Sequence, residues 1–183
     1  MDKKELIRRK FKLKRKKNYY MINSNFFSPL KKIIFNKKKS NKFYISLYFP
    51  TSHEVDVLKI FENKLFKKCI FLLPKIEENY SMSFFKWKKK DILNVNKYGI
   101  PEPLKSNKIV PDVILAPLVA FDKNKNRLGN GMGFYDRYLH KFSLSKNKII
   151  TVGVAFSFQK YHKLPVNKKD FSLDYVITEK GVI

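Results

Sequence analysis

Apolar residues along this chain fall into two patterns, short unbroken runs and runs spaced three or four apart, and the two alternate. The unbroken runs predict strands at Phe43 to Phe49, ended by Pro50, and at Ile70 to Leu73, closed by Pro74. Further strands are predicted at Met82 to Trp87, Ile149 to Ala155 and Tyr175 to Ile177, with Val113 to Ala116 as a central one. Spaced positions predict a helix over Val55 to Phe66, from Val55, Leu58, Phe61, Leu65 and Phe66, and another over Phe134 to Lys141. Lys3 to Lys17 reads as a strongly basic helix whose few apolar contacts are Leu6, Ile7, Phe11 and Leu13. That thin face predicts partial mobility. Asn18 to Asn41, with patches at Met21, Ile22, Phe26, Phe27 and Ile33 to Phe35, reads as helical with poorly marked ends. Strands alternating with helices predict an α/β fold, a mostly parallel sheet with helices on both faces. No repeat or linker divides residues 1–183, so a single domain is expected.

Composition narrows the function classes. The net charge of +25 invites a nucleic-acid partner, with clusters at Arg8 to Lys17, Lys31 to Lys39 and Lys86 to Lys90. Yet only five of the 40 basic residues are arginine, and Lys, Asn, Ile and Phe are abundant together, as AT-rich codon usage produces. No nucleic-acid-binding motif accompanies the charge, so a basic nucleic-acid binder is the weakest reading. No run approaches the roughly 18 apolar residues of a membrane helix, and the basic N-terminus lacks the apolar stretch of a secretory signal. A lone Cys69 in an apolar run reads as core filler, and the protein is expected in the cytoplasm.

The densest chemistry lies in Ala116-Pro117-Leu118-Val119-Ala120-Phe121-Asp122 and then Arg127-Leu128-Gly129-Asn130-Gly131-Met132-Gly133-Phe134-Tyr135-Asp136-Arg137. Three of the six glycines alternate here, between an apolar strand and a helix start. Such a loop exposes backbone amides at a helix N-terminus and suits an anion, with Arg127 and Arg137 adding charge. A tight glycine turn with solvated arginines is the other reading. In an open parallel sheet, ligands sit at the carboxyl ends of strands. The segments after Phe49, Leu73 and Ala116 are therefore expected to converge, bringing Glu54, Lys75 and the glycine loop around one crevice.

The run Pro117 to Leu139 resembles the signature of the 5-formyltetrahydrofolate cyclo-ligase family, also called 5,10-methenyltetrahydrofolate synthetases. Lys4 and Arg8, Tyr48-Phe49-Pro50, Glu54-Val55-Asp56, Leu73-Pro74-Lys75, Gly99 to Pro103, Val152 to Phe156 and Leu164-Pro165 extend the likeness over nearly the whole chain. The resemblance implies a fold related to ribose-5-phosphate isomerase and the coenzyme A transferases. It also implies ATP-dependent cyclisation of 5-formyltetrahydrofolate to 5,10-methenyltetrahydrofolate, with release of ADP and phosphate. Positioning and charge neutralisation dominate such chemistry, so no Ser-His-Asp or Cys-His set is expected.

Carried over from the family, Lys4, Arg8 and Arg127 to Tyr135 (Arg127, Leu128, Gly129, Asn130, Gly131, Met132, Gly133, Phe134, Tyr135) bind ATP, with Arg127 and Tyr135 as the catalytic pair. Phe49, Glu54 and Asn130, Gly131, Met132, Gly133 and Phe134 contact the folate, which in the family can carry a polyglutamate tail. Asp136 and Asp170 are the implied Mg²⁺ carboxylates. Taken alone, Lys4 and Arg8 read as solvated charges, Glu54 and Asp136 as helix N-terminal acids, and Asp170 as a surface loop residue. Trp87 and Tyr98 either line an aromatic wall or pack in the core, and His53, His140 and His162 show no metal-ligand spacing. Met132 stands where relatives often have Gly or Lys, Phe134 where Tyr is frequent and Leu118 where Gly is common. The chain is expected to act as a monomer. A homologue that binds nucleotide or folate with reduced or lost turnover is the alternative.

Overall fold

The structure, a computed structural model, describes residues 2–35, 43–143 and 148–183. Its centre is a seven-stranded sheet in the order β11-β10-β9-β6-β1-β2-β3. These strands are β1 (Tyr44–Ser46), β2 (Ile70–Ile76), β3 (Met82–Lys86), β6 (Val113–Pro117), β9 (Ile150–Val154), β10 (Tyr175–Thr178) and β11 (Gly181–Val182). The five inner strands pair in parallel, and β3 and β11 close the edges antiparallel. Two small hairpins, β4 (Leu93–Val95) with β5 (Pro101–Pro103) and β7 (Ala120–Phe121) with β8 (Arg127–Leu128), flank the sheet.

Val113 to Ala116 is wholly buried in the fourth position of the sheet, as an unbroken apolar run requires when both faces are covered. Val113, Leu115, Ile45, Leu47, Val152 and Val154 pack on one face with Leu30 and Ile34 of α2 (Leu30–Phe35) and with Val57 and Ile60. Ile114, Ala116, Leu72, Phe84 and Val176 pack on the other with Tyr138 and Leu139 of α3 (Phe134–Phe142). Helices on both faces thus follow from the alternation of side chains along the strands.

Helix α1 (Lys3–Asn18) starts where the Asp2 side chain accepts the Lys4 amide at 3.2 Å, and Arg15, Lys16 and Lys17 in its last turn suit the helix dipole. Ile7 and Phe11 pack on Val119, Ala120, Leu128 and Leu164. Leu6 and Leu13, expected as apolar contacts, are exposed at 48% and 70%. The third inward position of the stripe, eight residues after Ile7, is Arg15 instead.

Several sequence expectations change. Val55 to Phe66 is not one helix but two 3₁₀ segments, Val57–Glu62 and Lys64–Phe66. Asn63 splits them, because its side chain accepts the Leu65 amide at 3.0 Å and donates to the Ser24 carbonyl at 2.8 Å. The segment read as helical from Asn18 to Asn41 resolves into a 3₁₀ turn, Ser24–Phe27, and the short α2, while its residues 36–41 lie outside those described. The strand expected to close at Pro74 runs on to Ile76. In β2 the amides of Leu72 and its even-numbered neighbours face β1, and β1 pairs only as far as Leu72, so proline's missing N–H removes no ladder bond. The strand expected over Phe43 to Phe49 is regular only over Tyr44–Ser46.

Candidate functional site

A crevice of about 1160 Å³ opens at the carboxyl ends of β1, β2 and β6. Phe49, Thr51 and Glu54 enter it from the segment after β1, Pro74 and Ile76 from β2, and Pro117 from β6. Lys4 and Arg8 of α1, all of Arg127 to Asp136, and Asp170 also line it, and Tyr98 and Glu102 border it from the β4–β5 hairpin. Every residue to which the family resemblance gave a role therefore reaches this one space. Lys75 does not: strand alternation turns it off the wall, and its Nζ lies 3.4 Å from Glu102 Oε2. Trp87 is also outside, buried against Phe61, whereas Tyr98 meets Phe134 edge to face.

The hairpin β7–β8 delivers the glycine loop, and its turn is built by Asp122, to which the sequence reading assigned no role. The buried carboxylate accepts the Asn124 and Asn126 amides at 2.9 and 3.1 Å and the Leu164 amide at 3.1 Å. Beyond Leu128 the backbone passes Gly131 at φ +108° and Gly133 at φ +67°, the latter capping α3. These conformations leave the amides of Asn130 to Asp136 without a hydrogen-bond acceptor among the described residues. Free amides at a helix start, open to a cavity, form a cradle for anionic oxygens.

Cations surround the cradle. Arg8 Nε donates to the Gly129 carbonyl at 2.9 Å, which lays its guanidinium along Gly131. Arg127 is nearly buried, its Nη2 2.8 Å from Asp136 Oδ1 and its guanidinium carbon 5.6 Å from the centre of the Tyr135 ring. Its Nε and the Tyr135 hydroxyl are buried without hydrogen-bond partners among the described residues. Burial pushes the Tyr135 phenol up, so the hydroxyl keeps its proton. Arg137 behaves differently from the sequence reading: it donates to the Tyr80 and Met132 carbonyls and clips the loop to the β2–β3 turn.

Lys4 pairs with Asp170 Oδ2, which also accepts the Asn167 amide at 2.7 Å, and Asp136 Oδ1 also accepts the Phe171 amide at 3.1 Å. Each aspartate thus makes these bonds through one oxygen. No group of three or more His, Cys, Asp or Glu that could hold a metal occurs among the described residues. Two carboxylates beside a cradle of free amides nonetheless fit Mg²⁺, which keeps several waters and takes further oxygens from a bound anion.

At the other end of the crevice Glu54 is buried, and its Oε2 accepts the Thr51 amide at 3.0 Å. Its Oε1 lies 3.4 Å from Asn130 Nδ2 and 3.7 Å from Arg15 Nη1. Burial raises its carboxyl above the usual range, while Arg15, the Thr51 amide and Asn130 oppose that rise. The sequence missed Arg15, although its place in the Ile7, Phe11 stripe marks it.

Cys69 borders a separate hollow beside Phe61 and Trp87, and burial pushes its thiol up to about 11. At about pH 8 only roughly one molecule in a thousand then carries the thiolate. Iodoacetamide should label it far more slowly than free glutathione, and Cys69→Ser should retain full activity; rapid labelling would contradict the assignment to packing.

Three comparisons bear on this geometry. The profile of the 5-formyltetrahydrofolate cyclo-ligase family matches residues 1–179. The 5-formyltetrahydrofolate cyclo-ligase of Haemophilus influenzae is 32% identical over 136 residues, 70% of this chain and 72% of that one. The Mycoplasma genitalium enzyme of the same name is 32% identical over 73% of this chain and 70% of its own. The fold superposes on the 5,10-methenyltetrahydrofolate synthetase of Aquifex aeolicus with a TM-score of 0.75 at 34% identity, covering 98% of this chain and 91% of that one. For the Mycoplasma pneumoniae synthetase the TM-score is 0.70 at 26% identity, covering 96% and 98%.

Proposed function

This chain belongs to the 5-formyltetrahydrofolate cyclo-ligase family, and from that premise we propose how its crevice carries out the ATP-dependent cyclisation of 5-formyltetrahydrofolate to 5,10-methenyltetrahydrofolate. The observation that carries the reading is one cavity with unpartnered loop amides at one end and a buried carboxylate at the other, joined where Asn130 approaches Glu54.

A formamide oxygen is a poor leaving group, so attack on the formyl carbon by N10 stalls until that oxygen is phosphorylated. The γ-phosphoryl of ATP passes to the formyl oxygen and ADP departs. N10 then bonds to the formyl carbon to form a tetrahedral carbon and gives up its proton to solvent, and the C–O bond breaks to release phosphate and leave the methenyl bridge, its positive charge shared by N5 and N10. No step forms a covalent bond to the enzyme, so the protein's work is orientation and neutralisation.

The amides of Asn130 to Tyr135 hold the terminal phosphates, with Lys4 and Arg8 beside them. Arg127 faces the phosphoryl in transit, and its stacking on Tyr135 and pairing with Asp136 keep the guanidinium from following the charge. Asp136 and Asp170 are the residues that would hold Mg²⁺, which when bound neutralises the phosphate oxygens. Glu54 accepts two N–H bonds from the pterin amino group and ring, with Phe49 against the ring system. Lys168 and Lys169 on the crevice rim suit the carboxylates of a glutamate tail. The chain is proposed to act as a monomer, and no helix among the described residues is long and apolar enough to cross a membrane. A cytoplasmic enzyme acting on the folate pool is the setting this reading implies.

Mixing the protein with Mg-ATP and 5-formyltetrahydrofolate should raise the near-ultraviolet absorbance of the methenyl product, in strict dependence on ATP. A protein that binds both ligands with no absorbance change has lost turnover. One that ignores folate but binds polynucleotide, with affinity collapsing as salt rises, is a nucleic-acid binder.

A further inference from the structure

The reaction as described leaves one buried charge unused. Arg15 is 1% exposed, and its Nη1 donates to the Leu118 carbonyl at 3.3 Å and lies 3.7 Å from Glu54 Oε1. Its Nε and Nη2 have no hydrogen-bond partner among the described residues, so this guanidinium is not explained by the hydrogen bonds it makes. Arginine does not lose its proton in a protein interior, and a buried charge without a counter-charge is strongly unfavourable. Glu54 is the carboxylate that answers it.

The dependence runs both ways. Among the influences that keep Glu54 charged against its burial, Arg15 is the largest, ahead of the Thr51 amide and Asn130. The other titratable groups facing Glu54 are phenols: Tyr48, whose hydroxyl donates to the Val55 carbonyl at 2.9 Å, and Tyr135, whose hydroxyl has no partner among the described residues. Neither supplies positive charge. Arg15 also sits on the helix whose other end brings Lys4 and Arg8 to the phosphate side of the crevice.

We propose that Arg15 is a positioning residue, which holds the Glu54 carboxylate charged and aimed at the pterin and so ties the seating of α1 to folate binding. The proposal rests on the reading of Glu54 as the pterin-facing acid. It touches neither substrate itself.

The test is the pH dependence of kcat and of KM for 5-formyltetrahydrofolate, at saturating Mg-ATP, in the wild type, Arg15→Met and Arg15→Lys. Glu54 accepts the pterin N–H groups only as a carboxylate, so folate affinity is lost as pH falls through its pKa. Removing the neighbouring positive charge raises that pKa and moves the acid limb of 1/KM to higher pH. For Arg15→Met the limb should rise by about one pH unit or more, with KM for folate up roughly tenfold at pH below both limbs and KM for ATP little changed. Arg15→Lys keeps the charge and should keep the limb near its wild-type position. A limb that stays in place in Arg15→Met overturns the proposal. A wild type without turnover overturns the cyclo-ligase reading, and this proposal with it.

Should Arg15→Met fail to fold, thermal melts of Glu54→Gln and of Glu54→Gln with Arg15→Met decide. Glu54→Gln strands the buried guanidinium, so adding Arg15→Met should recover part of the lost melting temperature. A further loss in the double variant shows two independent residues and overturns the proposal.

Discussion

Arg127→Met is expected to lower kcat by roughly 10³-fold in a protein that still melts cooperatively, the scale on which an arginine facing a transferred phosphoryl group acts. The side chain is 3% exposed, fixed by Asp136 at 2.8 Å and backed by the Tyr135 ring, so it is already in place when charge develops. Methionine fills the volume and removes the charge, leaving Asp136 with the Phe171 amide as its remaining partner at Oδ1. Losing that bond to a half-buried carboxylate should cost about 1–3 kcal/mol of stability, well short of unfolding. Arg127→Lys restores a charge but not the planar fork that reaches both Asp136 and the crevice, so it should recover only part of the rate. Steady-state kinetics beside a melting curve separate these effects. A kcat within tenfold of wild type would show that Arg127 merely braces the loop.

Gly131→Val is expected to cost more than 100-fold in kcat/KM while changing stability by only about 1–3 kcal/mol. Gly131 sits at φ +108°, which a β-branched residue adopts only under strain. A Cβ there would already lie in van der Waals contact with Arg8, 3.4 Å from its guanidinium carbon, so the two further methyl groups of valine press on that side chain. The loop has two ways to relieve the strain, turning its amides or displacing Arg8, and both spoil the phosphate cradle. The effect should appear mainly in the kinetics with ATP. Isothermal titration with a non-hydrolysable ATP analogue gives the direct reading, and unchanged affinity would mean that the loop's backbone shape is not what holds the nucleotide.

The legible parts of the fold are those where local pattern and tertiary burial agree. Val113 to Ala116 reads as a central strand because four consecutive apolar residues have no polar face to show to water, and all four are buried. The helix after Gly133 reads clearly because glycine spacing and apolar periodicity change at the same residue. Val55 to Phe66 misleads because its apolar spacing suits an α-helix, and a long-range bond from Asn63 to Ser24 breaks it into two tighter turns. Pro74 misleads because its cost depends on whether β1 still runs alongside, which only the register reveals. The β4–β5 hairpin hides behind two prolines in a three-residue strand.

The crevice shows the same division. Its loop is contiguous in sequence, so the cluster of glycines announces it, whereas the approach of Asn130 to Glu54 spans 76 residues and rests on the parallel topology. Arg15 escapes notice for a different reason. Within a helix crowded with lysines and arginines, one more cation carries no signal by type, and only its phase with Ile7 and Phe11 sets it apart. The pairing of Lys4 with Asp170 is likewise invisible before folding, since 166 residues separate them.

A crystal structure of the protein with Mg²⁺, a non-hydrolysable ATP analogue and 5-formyltetrahydrofolate tests most directly where the two substrates sit. The terminal phosphoryl is expected within hydrogen-bonding distance of the Asn130 to Tyr135 amides, beside Lys4, Arg8 and Arg127, with the formyl oxygen next to it and the pterin on Glu54. Nucleotide bound away from this loop, or folate bound away from Glu54, would contradict this arrangement.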